Sequence, residues 1–470
     1  MKQIKKNYIF QVLLQVINFV LPLITVPYVA RVLGPEIIGK VSYANSLAYY
    51  FYIIASLGLN VYASREVAYN QGDNSKVSSV FSSVVFLKTV ILIPLAITYF
   101  AIDQSLIWLI TFVNILYLFM DISWFFQGIQ DFKILFLRNI IIKVLSVVLI
   151  FTLVKSTKDI YLYALIMYGS SLIGLLLLIP SLKKHIDLNV FYSNFFKLKN
   201  FNYLLLSLPL YIPQLGIDIY NSIDRSFIGY MVNETEVGYY EMSQKIVRVF
   251  LILITSLGTV LMPQIASMIK SGKEIKTTID KSIGFTLFLT CGIVGLLFSL
   301  SDFIVTFFLG ERFIQSINLL RILSFILLPI SIGSIIGTQY MLPIGMDKQY
   351  KTPVLIGVTV NIILNIILIS AISSNGAAIA SVISEFSVMS TMIILTFKKI
   401  NFLKLINKHN QFFIASALSI ILSLIIKIYM SINIFNILFL SSIYVFVYLI
   451  LSYSLSTFFK RQIKSIKFKH

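Results

Sequence analysis

Charged side chains are scarce in this 470-residue sequence, in which Asp, Glu, Lys and Arg together make up 12%. An ordinary soluble domain carries about 25% charged residues. Hydrophobic residues account for 58%, and the mean hydropathy is +0.90. A water-soluble fold of this size could not bury so much apolar surface, so the bilayer must be part of the solvent.

Metal-binding side chains are also scarce. The single cysteine, Cys291, lies inside an apolar run, which excludes an intrachain disulfide and favours a packing role. The three histidines, His185, His409 and His470, fall in loops or in the C-terminal tail, and one cysteine cannot complete a Cys/His zinc cluster. The sequence therefore predicts no metal site.

One segment superficially resembles a nucleotide-binding loop. Residues Gly34 to Val41 nearly spell a P-loop, but Val41 stands where a Ser or Thr hydroxyl should reach the magnesium ion. The segment also follows a hydrophobic helix instead of a buried strand. We therefore predict a tight turn made by Gly34, Pro35 and Gly39, with no nucleotide and no other cofactor.

What the sequence has in abundance is long apolar runs. A membrane-spanning helix needs about 20 mostly apolar residues. The first run follows a basic N-terminus, is too long for a signal-peptide core and lacks a cleavage site, so we expect an uncleaved helix. Fourteen runs satisfy the length criterion: 9–30, 39–60, 81–101, 105–127, 137–155, 160–180, 203–229, 238–262, 282–308, 314–341, 354–372, 376–397, 411–430 and 434–458.

The distribution of Lys and Arg predicts the orientation. With the N-terminus inside, 26 of the 38 basic residues lie in inner segments and four lie in outer loops. We expect a multi-pass protein of the inner (cytoplasmic) membrane with both termini in the cytoplasm. The net charge of +19 then reflects topology and attraction to anionic lipids, and not binding of nucleic acid.

Glycine spacing indicates an internal repeat. Gly39 and Gly58 recur as Gly238 and Gly258, and Gly128 recurs as Gly345. The predicted fold is all-α, with two pseudo-symmetric six-helix lobes, two extra C-terminal helices and a substrate path between the lobes. The predicted segments are an N-terminal lobe at 1–180, an interfacial linker at 181–202, a C-terminal lobe at 203–400, and helices 13 and 14 with a basic tail at 401–470.

Charged residues inside the runs are the candidate functional residues, because each costs about 2.5–3.5 kcal/mol or more at mid-bilayer. A cation-rich face suits a diphosphate; internal salt bridging, or snorkelling of lysines near helix ends, is the alternative. For the carboxylates we expect ion coupling or, alternatively, a buried protonated acid. The substrate-binding candidates are Arg225, Lys245, Arg248, Arg321, Lys88 and Lys143, and the ion-coupling candidates are Glu385, Asp218 and Asp224.

Several segments together resemble one known family. The sequence is similar to Wzx-type polysaccharide flippases of the multidrug/oligosaccharidyl-lipid/polysaccharide superfamily. The likeness extends over nearly the whole chain. The segments that carry it are VPYVARVLG at 26–34, DISWFFQG at 121–128, DRSFIG at 224–229, VGYY at 237–240, and GAAIA at 376–380 with Glu385.

The resemblance implies a MATE-like fold and a substrate of undecaprenyl diphosphate bearing an oligosaccharide repeat unit. It implies export from the inner to the outer leaflet for capsule, O-antigen or a related polymer, with basic cavity residues holding the diphosphate. Expected partners are the lipid-linked substrate, membrane lipid, and the polymerase and chain-length machinery. The alternatives are a MATE-like drug or cation antiporter, which a carboxylate-dominated pocket would favour, and a membrane polymerase, which the short outer loops disfavour.

Overall fold

The computed structural model describes residues 2–197, 201–272, 274–430 and 433–455. At 2–16, 18, 209, 210, 212–214, 217, 221, 256–264 and 434 it describes the backbone alone. Over these ranges the chain forms helices joined by turns and contains no β-strand, which confirms the all-α prediction. The predicted basic tail at 459–470 lies outside the described residues.

Nineteen α-helices are described. In chain order they are α1 Lys2–Ser56, α2 Leu59–Tyr69, α3 Asn74–Ile102, α4 Leu106–Met120, α5 Ser123–Gly128, α6 Phe132–Leu153, α7 Ile160–Leu176, α8 Ile179–Leu182, α9 Leu188–Phe195, α10 Phe201–Met231, α11 Glu234–Lys270, α12 Lys276–Ser299, α13 Ser301–Ile304, α14 Ser316–Ser324, α15 Leu327–Ser334, α16 Asp347–Thr396, α17 Phe402–Asn407, α18 Gln411–Lys427 and α19 Ile434–Leu455.

Nine helical segments within the described residues are long and apolar enough to cross a membrane. Two of them, in α1 and α16, each contain two predicted runs. The other predicted runs correspond to α18, which is shorter, and to α10 and α11, which carry several charged residues. The fourteen runs therefore fall mainly on helices where they are described, with short turns inside several of them, such as Asp121 and Ile122 in run 105–127. The chain is a multi-pass membrane protein.

The two long helices bend at defined points. Gly34 interrupts α1 with φ 78° and ψ 174°, a conformation that glycine adopts without steric cost. Pro35 follows directly, where its fixed φ suits the start of the next helical segment. The predicted turn is thus present at Gly34 and Pro35, whereas Gly39, the third residue predicted to form it, is helical. In α16 the break falls at Ile372 and Ser373, which have non-helical dihedral angles.

The chain folds as two compact units, one ending at Gly229 and the other beginning at Tyr230. Helix α10 belongs to the first unit because it packs along α1: Ser207 Oγ donates to the Leu57 carbonyl at 2.7 Å, and Ser226 Oγ donates to Ser46 Oγ at 2.9 Å. The boundary between the two compact units thus falls near the end of α10, whereas the predicted C-terminal lobe begins with this helix. That the two lobes are copies of one repeated unit remains a prediction.

Each unit has one left-handed residue shortly before a long helix. Gln130 has φ 62° and Gly345 has φ 78°, and each stands two residues before the first residue of α6 or α16. Gly128, the residue that the predicted repeat matches with Gly345, lies instead in α5. The repeat therefore stays a prediction.

In the second unit, the last two long helices pack against α12. Ser416 Oγ donates to the Cys291 carbonyl at 2.7 Å, and Tyr448 Oη donates to the Phe288 carbonyl at 2.6 Å. Cys291 is a free, buried residue in this core, as expected of a packing role. Helices α18 and α19 are therefore part of the core of the second unit.

Gly295 is the closest point of this contact. A Cβ atom there would lie 2.0 Å from Tyr444 Oη and 2.6 Å from Ser416 Oγ. We expect Gly295→Ala to lower the free energy of unfolding by about 1–3 kcal/mol through overpacking. The matched control is Gly333→Ala, whose nearest neighbour is Met392 Sδ at 3.8 Å and which should be neutral or stabilising. Thermal unfolding of the purified protein in detergent measures both, and equal stability of the two variants would contradict this packing.

Candidate functional site

Arg225 lies in a group of acidic and tyrosine side chains on α10 and α1. Tyr49 Oη donates to Asp218 Oδ1 at 3.3 Å, and Asp224 is 6% exposed. The Arg225 guanidinium lies close enough to Tyr49 and Tyr50 to interact electrostatically with both phenols. Two carboxylates, those of Asp218 and Asp224, therefore lie in the same group as Arg225. Arg225 therefore has a more acidic environment than the predicted cation-rich face, and its role in binding a diphosphate stays a prediction.

The predicted face of α11 is present in the second unit. Lys245 Nζ lies 3.3 Å from Glu241 Oε1, the i,i+4 contact expected on one side of a helix. Glu241 is buried, Lys245 is half-buried, and Arg248 is exposed. Arg248 is fourteen residues into α11, about 21 Å along the helix at 1.5 Å per residue. This face combines the Glu241–Lys245 ion pair with an exposed Arg248 deep in the helix.

Arg321 pairs with an acidic residue that the sequence did not single out. Arg321 Nη2 donates to Asp302 Oδ1 at 2.8 Å, and Arg321 Nε donates to Ser301 Oγ at 2.8 Å. Lys427 Nζ also pairs with Asp302 and lies 5.3 Å from the centre of the Phe303 ring. The contacts of Arg321 therefore show an internal salt bridge, which was the alternative to substrate binding. The three charges leave one net positive charge.

A second buried ion pair, in the first unit, was missed because the sequence places Arg138 at the edge of a run. Arg138 is 6% exposed, and its Nη1 donates to Asp121 Oδ1 at 3.0 Å and to Ser123 Oγ at 2.6 Å. Lys88 Nζ donates to the main-chain carbonyl of Asp121 at 3.1 Å. An Arg six residues into α6, together with the Asp-x-Ser sequence at 121–123 where α5 begins, is the pattern that could have indicated this pair.

Lys88 also lines a cavity of about 440 Å³ in the first unit. The walls come from α3, α4, α5, α7 and α8, and Arg225 is not among the lining residues. The structure therefore places Lys88 in a different setting from Arg225. Of the two remaining candidates, Lys143 is half-buried on α6, and Glu385 is half-buried on α16, where its charge acts on Tyr350.

His409 is buried at the start of α18, where its Nε2 lies 3.1 Å from Asp280 Oδ1. Burial lowers the pKa of His409, and the neighbouring Asp280 carboxylate opposes that shift. Lys408 pairs with the same carboxylate. In the part of the chain that the structure describes, no group of three or more His, Cys, Asp or Glu side chains could hold a metal ion.

The Asp121–Arg138 pair should be a strong determinant of stability in the first unit. We expect Arg138→Gln to cost roughly 2–3 kcal/mol because it leaves the Asp121 carboxylate with one charged partner fewer, and the Asp121→Asn/Arg138→Gln double variant to cost less than the sum of the single changes. Lys133→Gln, an exposed change on the same helix, should stay within about 0.5 kcal/mol. Thermal unfolding tests the cycle; strictly additive losses would mean that the pair contributes no coupling.

These observations define the class of protein. A helical multi-pass chain that carries paired and exposed charges deep in its helices has the character of a membrane transporter. The chain belongs to the family described as "Polysaccharide biosynthesis protein", which matches residues 4–269. This confirms the family resemblance seen in the sequence.

Two curated relatives and two solved structures illustrate the similarity. The chain is 24% identical to the "Putative O-antigen transporter" of Escherichia coli (strain K12) over 83% of this chain and 96% of that protein. It is 21% identical to the "Capsular polysaccharide biosynthesis protein CapF" of Staphylococcus aureus over 81% and 96%.

The structural likeness concerns the fold. The inward closed conformation of the lipid II flippase MurJ superposes with a TM-score of 0.74 at 18% identity, covering 97% of this chain and 99% of that one. An inward-facing MATE family transporter of the MOP superfamily gives a TM-score of 0.60 at 17% identity, covering 82% and 96%. The predicted MATE-like fold is confirmed.

Proposed function

We propose that this protein is a flippase that moves undecaprenyl-diphosphate-linked oligosaccharide repeat units from the inner to the outer leaflet of the cytoplasmic membrane. The polymer served would be capsule, O-antigen or a related surface polysaccharide. Family membership supports this proposal, as do a relative named as an O-antigen transporter and one named for capsular polysaccharide biosynthesis. The fold shared with MurJ and MATE transporters is compatible with transport by alternating access.

The observation that carries the proposal is the exposure of Arg248. A guanidinium about 21 Å into a membrane helix is costly against acyl chains and favourable against water or an anion. An Arg offers paired N–H donors that match phosphate oxygens. We therefore assign Arg248 to the path of the diphosphate, with Lys245 on the same face as a second cation and Arg225, Arg321, Lys88 and Lys143 as further candidates.

The remaining parts of the proposal concern location and partners. The excess of Lys and Arg in alternate loops supports cytoplasmic termini and residence in the inner membrane. The lipid-linked substrate implies that a polymerase and chain-length machinery act on the exported unit. The protein itself carries out transport and not a chemical reaction.

The first test replaces Arg248. We expect Arg248→Gln to reduce surface polymer about tenfold or more, since loss of a charged hydrogen bond costs about 1.5–3 kcal/mol, and Arg248→Lys to retain part of the activity. Lipid-linked repeat units should accumulate in the membrane while the protein level stays unchanged. Surface polymer and lipid extracts are measured in a deletion strain complemented with each variant.

The control is Arg312→Gln, which removes an exposed Arg from the short 3₁₀ helix Glu311–Phe313 of the same unit and should leave export unchanged. Normal export by Arg248→Gln would exclude this site. Equal loss in both variants would mean that the effect is not specific to the path.

We assign ion coupling to Asp218 and Asp224 on α10, two carboxylates that lie in one group with Tyr49 and Tyr50. Acidic residues also favour the rival MATE-like antiporter, but the exposed Arg248 disfavours a cationic drug as the cargo. Glu385 on α16 is the second candidate for binding a proton or sodium ion.

We expect Asp218→Asn to abolish the stimulation of transport by an ion gradient, because the amide can still accept from Tyr49 but cannot ionise. Transport of a fluorescent lipid-linked oligosaccharide is measured in proteoliposomes with and without a proton or sodium gradient. Asp103→Asn, in the exposed turn after α3, should behave like the unmodified protein. Retained stimulation in Asp218→Asn would remove Asp218 from the coupling site.

A further inference from the structure

The cavity beside Lys88 has the size and lining of a ligand site. Its volume of about 440 Å³ falls within the range of about 300–1,000 Å³ that small-molecule sites occupy. Thirteen of its sixteen lining residues are apolar, and the other three are Lys88, Thr89 and Asp121. The lining therefore favours a largely apolar ligand with one polar end.

One wall of the cavity faces the lipid. Met120, Ile173 and Leu176 line it, and each is more than half exposed although its side chain is apolar. In a multi-pass membrane protein, exposed apolar side chains of spanning helices contact acyl chains. A hydrocarbon chain can thus enter from the bilayer without crossing water.

The polar end of the cavity has a net positive charge. The Lys88 ammonium contacts the main-chain carbonyl of Asp121, a neutral acceptor, while the Asp121 carboxylate pairs with Arg138. Two cations and one carboxylate leave an excess of one positive charge. An ammonium in such apolar surroundings is costly, and an anion beside it would lower that cost.

A hydrogen-bond donor in the wall adds an independent indication. Trp124 lines the cavity, is 3% exposed and stacks on Phe81. Among the residues that the structure describes, its indole N–H has no acceptor. Buried donors are nearly always satisfied, so a water or a ligand oxygen beside the ring is needed to complete the hydrogen bonding of Trp124.

We propose that this cavity binds an anionic phospholipid of the surrounding bilayer, with one acyl chain among the apolar residues and its phosphate or ester oxygens toward Lys88 and Trp124. The volume suits a single acyl chain better than a polyprenyl diphosphate carrying sugars. The site does not depend on the proposed flippase activity, and binding can be measured without any transported substrate.

The two tryptophans of the chain make the test direct. Trp108→Phe leaves Trp124 as the only indole, and the protein is reconstituted in phosphatidylcholine vesicles containing either brominated phosphatidylglycerol or brominated phosphatidylcholine. Bromine quenches an indole only at short range. We expect brominated phosphatidylglycerol to quench Trp124 about fivefold more than brominated phosphatidylcholine does. One lysine near an anionic headgroup contributes about 1 kcal/mol, which corresponds to this ratio.

In the same background, Lys88→Met should abolish the preference and Lys88→Arg should keep it. The matched control is Trp124→Phe, which reports from Trp108, a residue stacked on Tyr99 and absent from the cavity lining. Quenching of Trp108 by the two brominated lipids should be the same with and without the Lys88→Met change.

If Lys88→Met fails to fold, Ile173→Phe, which narrows the lipid-facing wall, provides a second test and should reduce quenching by both lipids. Equal quenching by the two lipids in the Trp108→Phe protein would overturn the proposal. A preference that survives Lys88→Met, or Trp124 that is not quenched at all, would overturn it as well.

Discussion

The need to neutralise charge inside apolar helices governs how this protein arranges its polar side chains. Asp121, Glu241 and Asp302 lie in or beside spanning helices, and each holds a cation. Asp302 holds two, from Arg321 and Lys427. Because buried charges are tolerated only with partners, these carboxylates decide where the neighbouring cations can lie. The positions of Lys245 and Arg321, two of the candidate site residues, therefore depend on the carboxylates that pair with them.

The same constraint separates two kinds of charged group. The groups at Asp121 and Asp302 each contain two cations and one carboxylate, so each retains a positive charge that can attract a phosphate. The group around Arg225 differs, because the carboxylates of both Asp218 and Asp224 lie in it.

Sequence reasoning predicted the helices well because the bilayer imposes a simple length and polarity rule. Each predicted run falls mainly on helix where it is described, and the turn at Gly34 follows from the ability of glycine to adopt a positive φ without steric cost. The i,i+4 contact of Glu241 with Lys245 was predictable for the same reason, since it depends on helix geometry alone.

The pairing of charges between helices was not predictable in this way. Arg138 and Asp302 are absent from the candidate residues because both stand near the edges of apolar runs, where boundaries are least certain. Which acid meets which base depends on tertiary packing, and periodicity within one helix does not contain that information. For this reason the sequence alone indicates Arg321 as a candidate substrate ligand, although its guanidinium contacts Asp302.

The last two long helices show how such a pairing can connect structure with function. Lys427 at the end of α18 and Arg321 on α14 bind the same carboxylate, while Tyr448 and Ser416 join α19 and α18 to α12. The orientation of the Arg321 guanidinium therefore depends on α18 through Asp302. If Lys427 were absent, Asp302 would retain Arg321 alone and the net positive charge of the group would vanish. Helices α18 and α19 thus contribute to the electrostatics of the second unit as well as to its core.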